Sequence, residues 1–205
     1  MNEINLFPIQ LHKTSIVPND YEYKILDEFL SNKFASASEN LWALETGKST
    51  GEFNLNLYKQ PEAQWLMNRV MPIVQSYWQR LDYRRGAKII FTSAWANQHE
   101  TGQETGEHSH YGGSIRSHVS AVYYFKKPEL SGNIEFVDPL EYIRKMEPIH
   151  EYSEYTPEGI AHMYKEVSTE QFDLVLFPSW LKHRTQVNKS TDSRVAISMN
   201  FIGLY

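Results

Sequence analysis

Two imidazoles two residues apart, His108 and His110, and a third, His183, are the side chains of this chain best suited to hold a metal together. In an extended segment residues i and i+2 face the same way, so His108 and His110 can be aimed at one centre. His183 follows Phe172-Asp-Leu-Val-Leu-Phe177, an almost continuously apolar run that reads as a buried strand ended by Pro178-Ser179-Trp180. If the two segments lie on neighbouring strands of one sheet, three nitrogen donors converge. Arg194 comes eleven positions after His183, near the start of another apolar run, Val195-Ala-Ile-Ser-Met-Asn-Phe201. A cation opening a buried strand is costly unless it meets an anion, and a guanidinium fork is shaped for a carboxylate. A structural ion pair would satisfy the same demand.

Each of these signals has a plainer alternative. Gly102, Gly106, Gly112 and Gly113 surround the His-x-His pair, as expected where backbone passes close to a ligand, and equally in a polar surface turn. His183, between Lys182 and Arg184, can be read as a surface histidine after a turn. His118 reads as structural, and His12, His99, His150 and His162 lack partners at ligand spacing.

Composition narrows the chemistry. With 205 residues, 41% of them hydrophobic and 14% aromatic, the chain suits one compact domain with a sizeable core. The formal charge of −5 and the absence of a dense Lys/Arg run argue against nucleic acid as a partner. There is no cysteine, so any metal must be held by His, Asp or Glu. No basic segment followed by an apolar one opens the chain, and no apolar run approaches membrane-spanning length. A soluble, cytoplasmic protein with no membrane partner is the expectation, and a homodimer is compatible with it.

The elements that must position these residues change character along the chain. Asn5 to Val17 alternates loosely and suggests an edge strand interrupted by Pro8. Pro18-Asn19-Asp20 supplies cap chemistry for a helix from about Tyr21 to Lys33. Ser36 to Asn56 reads as a loop, with a short strand at Phe53, Leu55 and Leu57. Gln60-Pro61-Glu62 starts a second helix, whose Leu66, Val70, Ile73, Val74, Tyr77 and Leu81 form one apolar face and which Pro72 should kink. From Ala87 onward the texture is β: Lys88 to Asn97, Ser117 to Lys126, Gly132 to Val137, Phe172 to Phe177 and Arg194 to Ile202. Strands in succession without helices between them favour an antiparallel sandwich or jelly roll. The expectation is therefore one domain, mainly β with N-terminal helices. Residues 1–86 support a core of residues 87–205, into which Pro139 to Glu170 is inserted. Seven glutamates against Arg144, Lys145 and Lys165 give that insert a charge of −4, and interleaved tyrosines add amphipathic surface. A lid that selects a neutral or basic substrate is the reading this supports.

Taken in order, Trp95-Ala-Asn97, His108-Ser-His110, Ser120-Ala-Val-Tyr-Tyr124, Gly132-Asn-Ile-Glu-Phe-Val-Asp-Pro139, Phe177-Pro-Ser-Trp-Leu-Lys-His183 and Arg194-Val-Ala-Ile-Ser-Met-Asn-Phe201 resemble the Fe(II)/2-oxoglutarate-dependent dioxygenases, and more closely a branch found in bacterial and phage genomes. The resemblance covers about the C-terminal half. It implies a double-stranded β-helix (a cupin-like jelly roll), Fe(II) held by His108, the residue at position 110 and His183, and 2-oxoglutarate chelated to the metal with its far carboxylate on Arg194. The implied activity is hydroxylation of a C–H bond with release of succinate and CO2. The substrate would be a peptide side chain or a small amino-acid-like molecule, and a phage-encoded enzyme would act in the host cytoplasm.

Two departures accompany the resemblance. His110 stands where the superfamily has Asp or Glu, so the third ligand is His110, a nearby carboxylate such as Glu104 or Glu107, or water; the spacing favours His110. Ala196 stands where Ser is common, and Ser198 on the same strand face is its natural replacement. Asn97 and the pair Tyr123-Tyr124 complete the expected co-substrate pocket, with one tyrosine, taken as Tyr123, making the contact. The rivals from other classes are a non-catalytic cupin-like binding module and a viral structural jelly roll. Arg194 at its spacing from His183 separates them, because only the oxygenase needs a carboxylate clamp there.

Overall fold

The architecture is that of a computed structural model, which describes residues 8–42, 45–53, 55–110, 116–144 and 163–205. In chain order the elements are strand β1 (His12–Ser15), helix α1 (Asp20–Ser36), strands β2 (Asn40–Trp42) and β3 (Glu45–Ser49), helix α2 (Gln64–Arg80), β4 (Lys88–His99), β5 (Val119–Lys126), β6 (Ile134–Val137), a one-turn helix α3 (Glu141–Arg144), β7 (Tyr164–Val167), β8 (Asp173–Pro178), β9 (His183–Thr185) and β10 (Arg194–Leu204). Every strand pairing is antiparallel, in a large sheet ordered β1-β8-β5-β10-β4-β3-β2 and a small one ordered β7-β6-β9.

The two helices form where the chain provides their ends. Asn19 and Glu22 close a capping box: Glu22 N–H donates to Asn19 Oδ1 and Asn19 N–H to Glu22 Oε2, both at 2.9 Å. Pro61 opens a single 3-10 turn that runs into α2, where Pro72 sits inside an uninterrupted helix. Arg69 on α2 then donates to Glu22 at 2.7 Å and to Val17 O at 3.0 Å, tying the helices together.

The large sheet has two different faces because strand side chains alternate. Along β10, Val195, Ile197, Met199 and Phe201 pack with Leu26 and Leu30 of α1 and Leu66, Val70 and Val74 of α2. Their neighbours Arg194, Ala196 and Ser198 line a cavity on the opposite face. There the small sheet closes the second layer, with Ile134, Phe136 and Leu181 packed on Val122, Val175 and Phe177. β8 lies between both cores, and for that reason all six of its residues are buried.

Several elements differ from the sequence expectation. Among the described residues around Phe53 and Leu57 there are two 3-10 turns, Thr50–Phe53 and Leu57–Lys59, and no strand. The polar β3, with Gly47 at φ +103°, carries no hydrophobic alternation and exists by pairing with β4. The ends of the Pro139 to Glu170 insert are regular structure: α3 follows the turn at Asp138, and β7 pairs with β6. Residues 145–162, most of the expected lid, lie outside the described residues.

Gly132 fixes the turn into β6. Its φ is +80°, and a Cβ there would lie 2.8 Å from Gln186 O and 2.9 Å from Gln186 Cβ. Gly132→Ala combines left-handed strain with a backbone overlap and should lower the unfolding free energy by roughly 2 kcal/mol, read as a shift in denaturant midpoint. An unchanged midpoint would show that the turn relaxes freely.

Candidate metal centre

Two antiparallel contacts assemble the histidines. His108 N–H donates to His183 O and His183 N–H to His108 O, each at 2.9 Å, which makes the pair an isolated β-bridge. His110 N–H donates to Ser179 O at 3.0 Å, in the turn that leads into β9. Ser179 is itself held by Ser120 Oγ at 2.8 Å, and Ser120 donates to Asn200 Oδ1 at 2.7 Å. Strands β5 and β10 thus hold the turn whose carbonyl holds His110.

The three rings face one another, with centroids 4.3 Å apart for His108 and His183, 5.0 Å for His108 and His110, and 5.1 Å for His110 and His183. One ring nitrogen of each lies within 4.8 Å of the others. His108 Nδ1 is 2.8 Å from Gly106 O and His183 Nδ1 is 2.9 Å from Leu181 O. A carbonyl only accepts, so both Nδ1 atoms carry the proton and leave Nε2 with a free lone pair. Anchored imidazoles presenting Nε2 are the donor set a divalent transition metal requires. Burial holds the imidazoles neutral: it pushes His183 well below the ordinary range, lowers His108 against its Gly106 hydrogen bond, and takes His110, also disfavoured by His108, to about 4. The residues present therefore fit a resident metal.

Glu104 and Glu107 are not part of the cluster among the described residues. Glu107 instead accepts from Lys182 Nζ and from the Tyr164 hydroxyl, both at 3.1 Å. Three neutral imidazoles leave a divalent ion with its full +2 charge, one unit more than a site with a carboxylate.

A cavity of about 270 Å³ extends from the histidines to Arg194. Larger cavities, of about 430 and 460 Å³, lie against α1 and α2 and include no residue of the histidine cluster. Arg194 is fully buried; Nη1 donates to Ser131 O at 2.5 Å and Gln186 O at 2.9 Å, and Nη2 to Thr185 Oγ1 at 2.9 Å. Its Nε has no partner, and among the described residues no carboxylate pairs with it. Burial lowers its pKa while the nearby Tyr124 and Glu104 oppose that shift. An isolated buried guanidinium is expensive, and an anion in the cavity is what would offset it.

Asn97 and Ser198 line this cavity as the sequence suggests, and Asn97 Oδ1 is buried without a partner. Tyr123 does not line it. Its ring packs in the helix-side core and its hydroxyl donates to Ile16 O at 2.8 Å, so the expected contact is misplaced by one residue. Tyr124 faces the cavity instead, because adjacent strand residues point to opposite faces. Its hydroxyl is buried and unpartnered; Thr169 lies beside it but donates to Asn133 Oδ1. Sequence reasoning also missed His99, which is 2% exposed and lines the cavity. The signal was the alternation Trp95, Asn97, His99, hidden by ending the strand at Asn97. His118 is placed away from the cavity, with Nδ1 accepting from Gly203 N–H at 3.3 Å.

The family model described as "Putative 2OG-Fe(II) oxygenase" matches residues 93–200. Among solved structures, the chain is similar to a prolyl-4-hydroxylase from Pseudomonas putida (TM-score 0.64, 12% identity, covering 94% of this chain and 92% of that one). It is also similar to a viral collagen prolyl hydroxylase from Paramecium Bursaria Chlorella virus-1, solved as a 2OG complex (TM-score 0.57, 12% identity, 93% and 94%). A third is HygX from Streptomyces hygroscopicus with nickel, 2-oxoglutarate and hygromycin B bound (TM-score 0.60, 12% identity, 94% and 82%). At these identities the likeness is one of fold. No curated protein matches the chain by sequence.

The cluster separates its members by substitution. His110→Ala should lose Fe(II), measured by anaerobic titration, whereas His110→Asp should keep it, since carboxylate and imidazole both suit Fe(II). Full retention in His110→Ala would transfer the third position to another group.

The buried histidines also make stability depend on pH. His99, desolvated and beside Arg194, has its pKa depressed to about 3, against an unfolded value of 6.5. The unfolded chain takes up that proton below 6.5 and the fold does not, so the contribution is complete above 6.5 and is lost as pH falls toward 3. At pH 5.5 the metal-free protein should be less stable than at pH 7 by roughly 1 kcal/mol from His99 alone, and His99→Asn should remove that share of the slope in denaturant titrations. A pH-independent midpoint in the wild type would contradict this.

Proposed function

We propose that this chain, which belongs to the 2OG-Fe(II) oxygenase family, holds its iron on His108, His110 and His183 and seats 2-oxoglutarate between that metal and Arg194. Membership makes it a 2-oxoglutarate-dependent oxygenase with Fe(II) and 2-oxoglutarate as cofactor and co-substrate, which sets aside the non-catalytic alternatives. The reaction we assign is hydroxylation of a C–H bond in a peptide side chain or a small amino-acid-like substrate. The fold we assign is one double-stranded β-helix domain, supported by two antiparallel sheets packed face to face with the cavity between them.

When bound, iron and 2-oxoglutarate supply the oxidising chemistry, with succinate and CO2 as the co-substrate's products. The protein's residues do the rest. Gly106 O and Leu181 O fix the tautomers of His108 and His183, so that Nε2 of each is aimed before any metal arrives. Val122 and Ile134 form apolar cavity wall and exclude water from the space between the histidines and Arg194. Arg194 orients the co-substrate by taking its far carboxylate. Its burial without a carboxylate partner is the observation that carries the reading.

The acidic insert supports the substrate class. Its net charge of −4 favours neutral or basic substrates over phosphorylated ones or nucleic acid. No helix among the described residues is long and apolar enough to cross a membrane.

Arg194→Ala should weaken 2-oxoglutarate binding by about tenfold or more, the worth of a charge-assisted hydrogen bond, and leave Fe(II) affinity within about twofold. Anaerobic calorimetric titration of each ligand measures both. Equal loss of the two, with an unchanged melting temperature, would overturn the assignment of Arg194.

A further inference from the structure

His99 is a buried imidazole that the metal does not use. It lines the same cavity as Arg194, is 2% exposed, and its Nδ1 is buried with no hydrogen-bond partner. β4 and β10 place the two residues directly opposite, His99 paired with Arg194 in the register. A chain of hydrogen bonds also joins them: His99 Nε2 lies 3.0 Å from Thr105 Oγ1, Thr105 N–H donates to Thr185 Oγ1 at 2.9 Å, and Arg194 Nη2 donates to the same oxygen at 2.9 Å.

We propose that His99 Nδ1–H is a second donor to the far carboxylate of the co-substrate, beside Arg194, and helps the pocket select a five-carbon 2-oxo diacid over a 2-oxo acid that lacks that group. This rests on the seating of 2-oxoglutarate proposed above. Hydrogen-bond bookkeeping supports it. Nε2 has a hydroxyl for its partner, and a hydroxyl can donate or accept. When Thr105 donates to Nε2, the imidazole proton sits on Nδ1. Four buried unpartnered groups line the cavity: Asn97 Oδ1, an acceptor, and three that then act as donors, His99 Nδ1–H, Arg194 Nε–H and the Tyr124 hydroxyl. Carboxylate oxygens only accept, so a carboxylate is the group that fits the three donors. The opposite tautomer would turn a lone pair on Nδ1 toward the anion, and the bound carboxylate selects against it.

The two ring nitrogens can be tested separately. The amide nitrogen of Asn lies close to the position of Nδ1 and that of Gln close to Nε2. The probes are 2-oxoglutarate and 2-oxopentanoate, which has the same carbon chain without the far carboxylate, titrated calorimetrically into anaerobic Fe(II)-loaded protein. His99→Gln should lower the preference for 2-oxoglutarate over 2-oxopentanoate by about tenfold, while His99→Asn keeps most of it. In both variants 2-oxopentanoate should bind as in wild type. Preference retained in the Gln variant and lost in the Asn variant would show that His99 acts only through Thr105, and the proposal would fail. Equal weakening of both probes would also overturn it, because the role would then be structural. Arg194→Ala in the same titrations checks the underlying seating: wild-type preference there removes the carboxylate from this end of the pocket altogether. A measurement that needs no variant is the nitrogen-15 spectrum of His99 in the wild-type Zn(II) and 2-oxoglutarate complex, where a protonated Nδ1 is expected and an unprotonated one rejects the assignment.

Discussion

Two reciprocal backbone hydrogen bonds, His108 N–H to His183 O and His183 N–H to His108 O, are the constraint on which the site depends. They lock a loop that leaves β4 onto β9, and so bring together two imidazoles 75 residues apart in sequence. Backbone pairing fixes both rings at once, because neighbouring residues across a narrow antiparallel pair have their Cβ atoms about 5 Å apart. The side chains need only the carbonyls of Gly106 and Leu181 to choose the tautomer. His110 joins through Ser179, so each of the three histidines is held by a main-chain hydrogen bond.

That arrangement requires the large sheet to be finished on both faces. α1 and α2 bury one face through Ile197, Met199 and Phe201 of β10, and this frees the alternate residues of the same strand for the cavity. A single strand thereby supplies core on one side and Arg194, Ala196 and Ser198 on the other. His183 sits between the two sheets, with Phe136 of the small sheet and Phe177 of the large one against it at centroid distances of 6.1 and 4.6 Å.

The sequence showed the parts of this design whose signal is local. The order of the long strands, the capped α1, the buried run of β8 and the His-x-His, His and Arg spacing were all readable, since each lies in one contiguous segment. β9 and β3 were not: three and five residues long, they are strands only because a partner strand accepts them. The choice between Tyr123 and Tyr124 failed for a related reason. β5 is buried on both faces, so hydrophobic alternation cannot say which tyrosine faces which layer, and the answer lies in the packing of the helices. His99 was lost to a strand end set two residues short.

The chemistry of the cavity follows from one environment acting on groups with different intrinsic basicity. Burial lowers the pKa of His99, His108, His110, His183 and Arg194 alike. An imidazole begins near 6.5, so the same dry surroundings that take it below the neutral range leave it a lone-pair donor; a guanidinium begins far more basic and remains a cation. The cavity consequently has neutral imidazoles at one end and a fixed positive charge at the other, with Glu104 favouring the charged form of Arg194. A resident divalent ion with three neutral ligands would add positive charge at the first end. A dianion with a chelating head and a distant carboxylate answers both, and its arrival would relieve the desolvation of Arg194 while completing the coordination begun by the histidines. In the proposed seating, binding of the co-substrate is where the electrostatic cost of burying Arg194 would be offset.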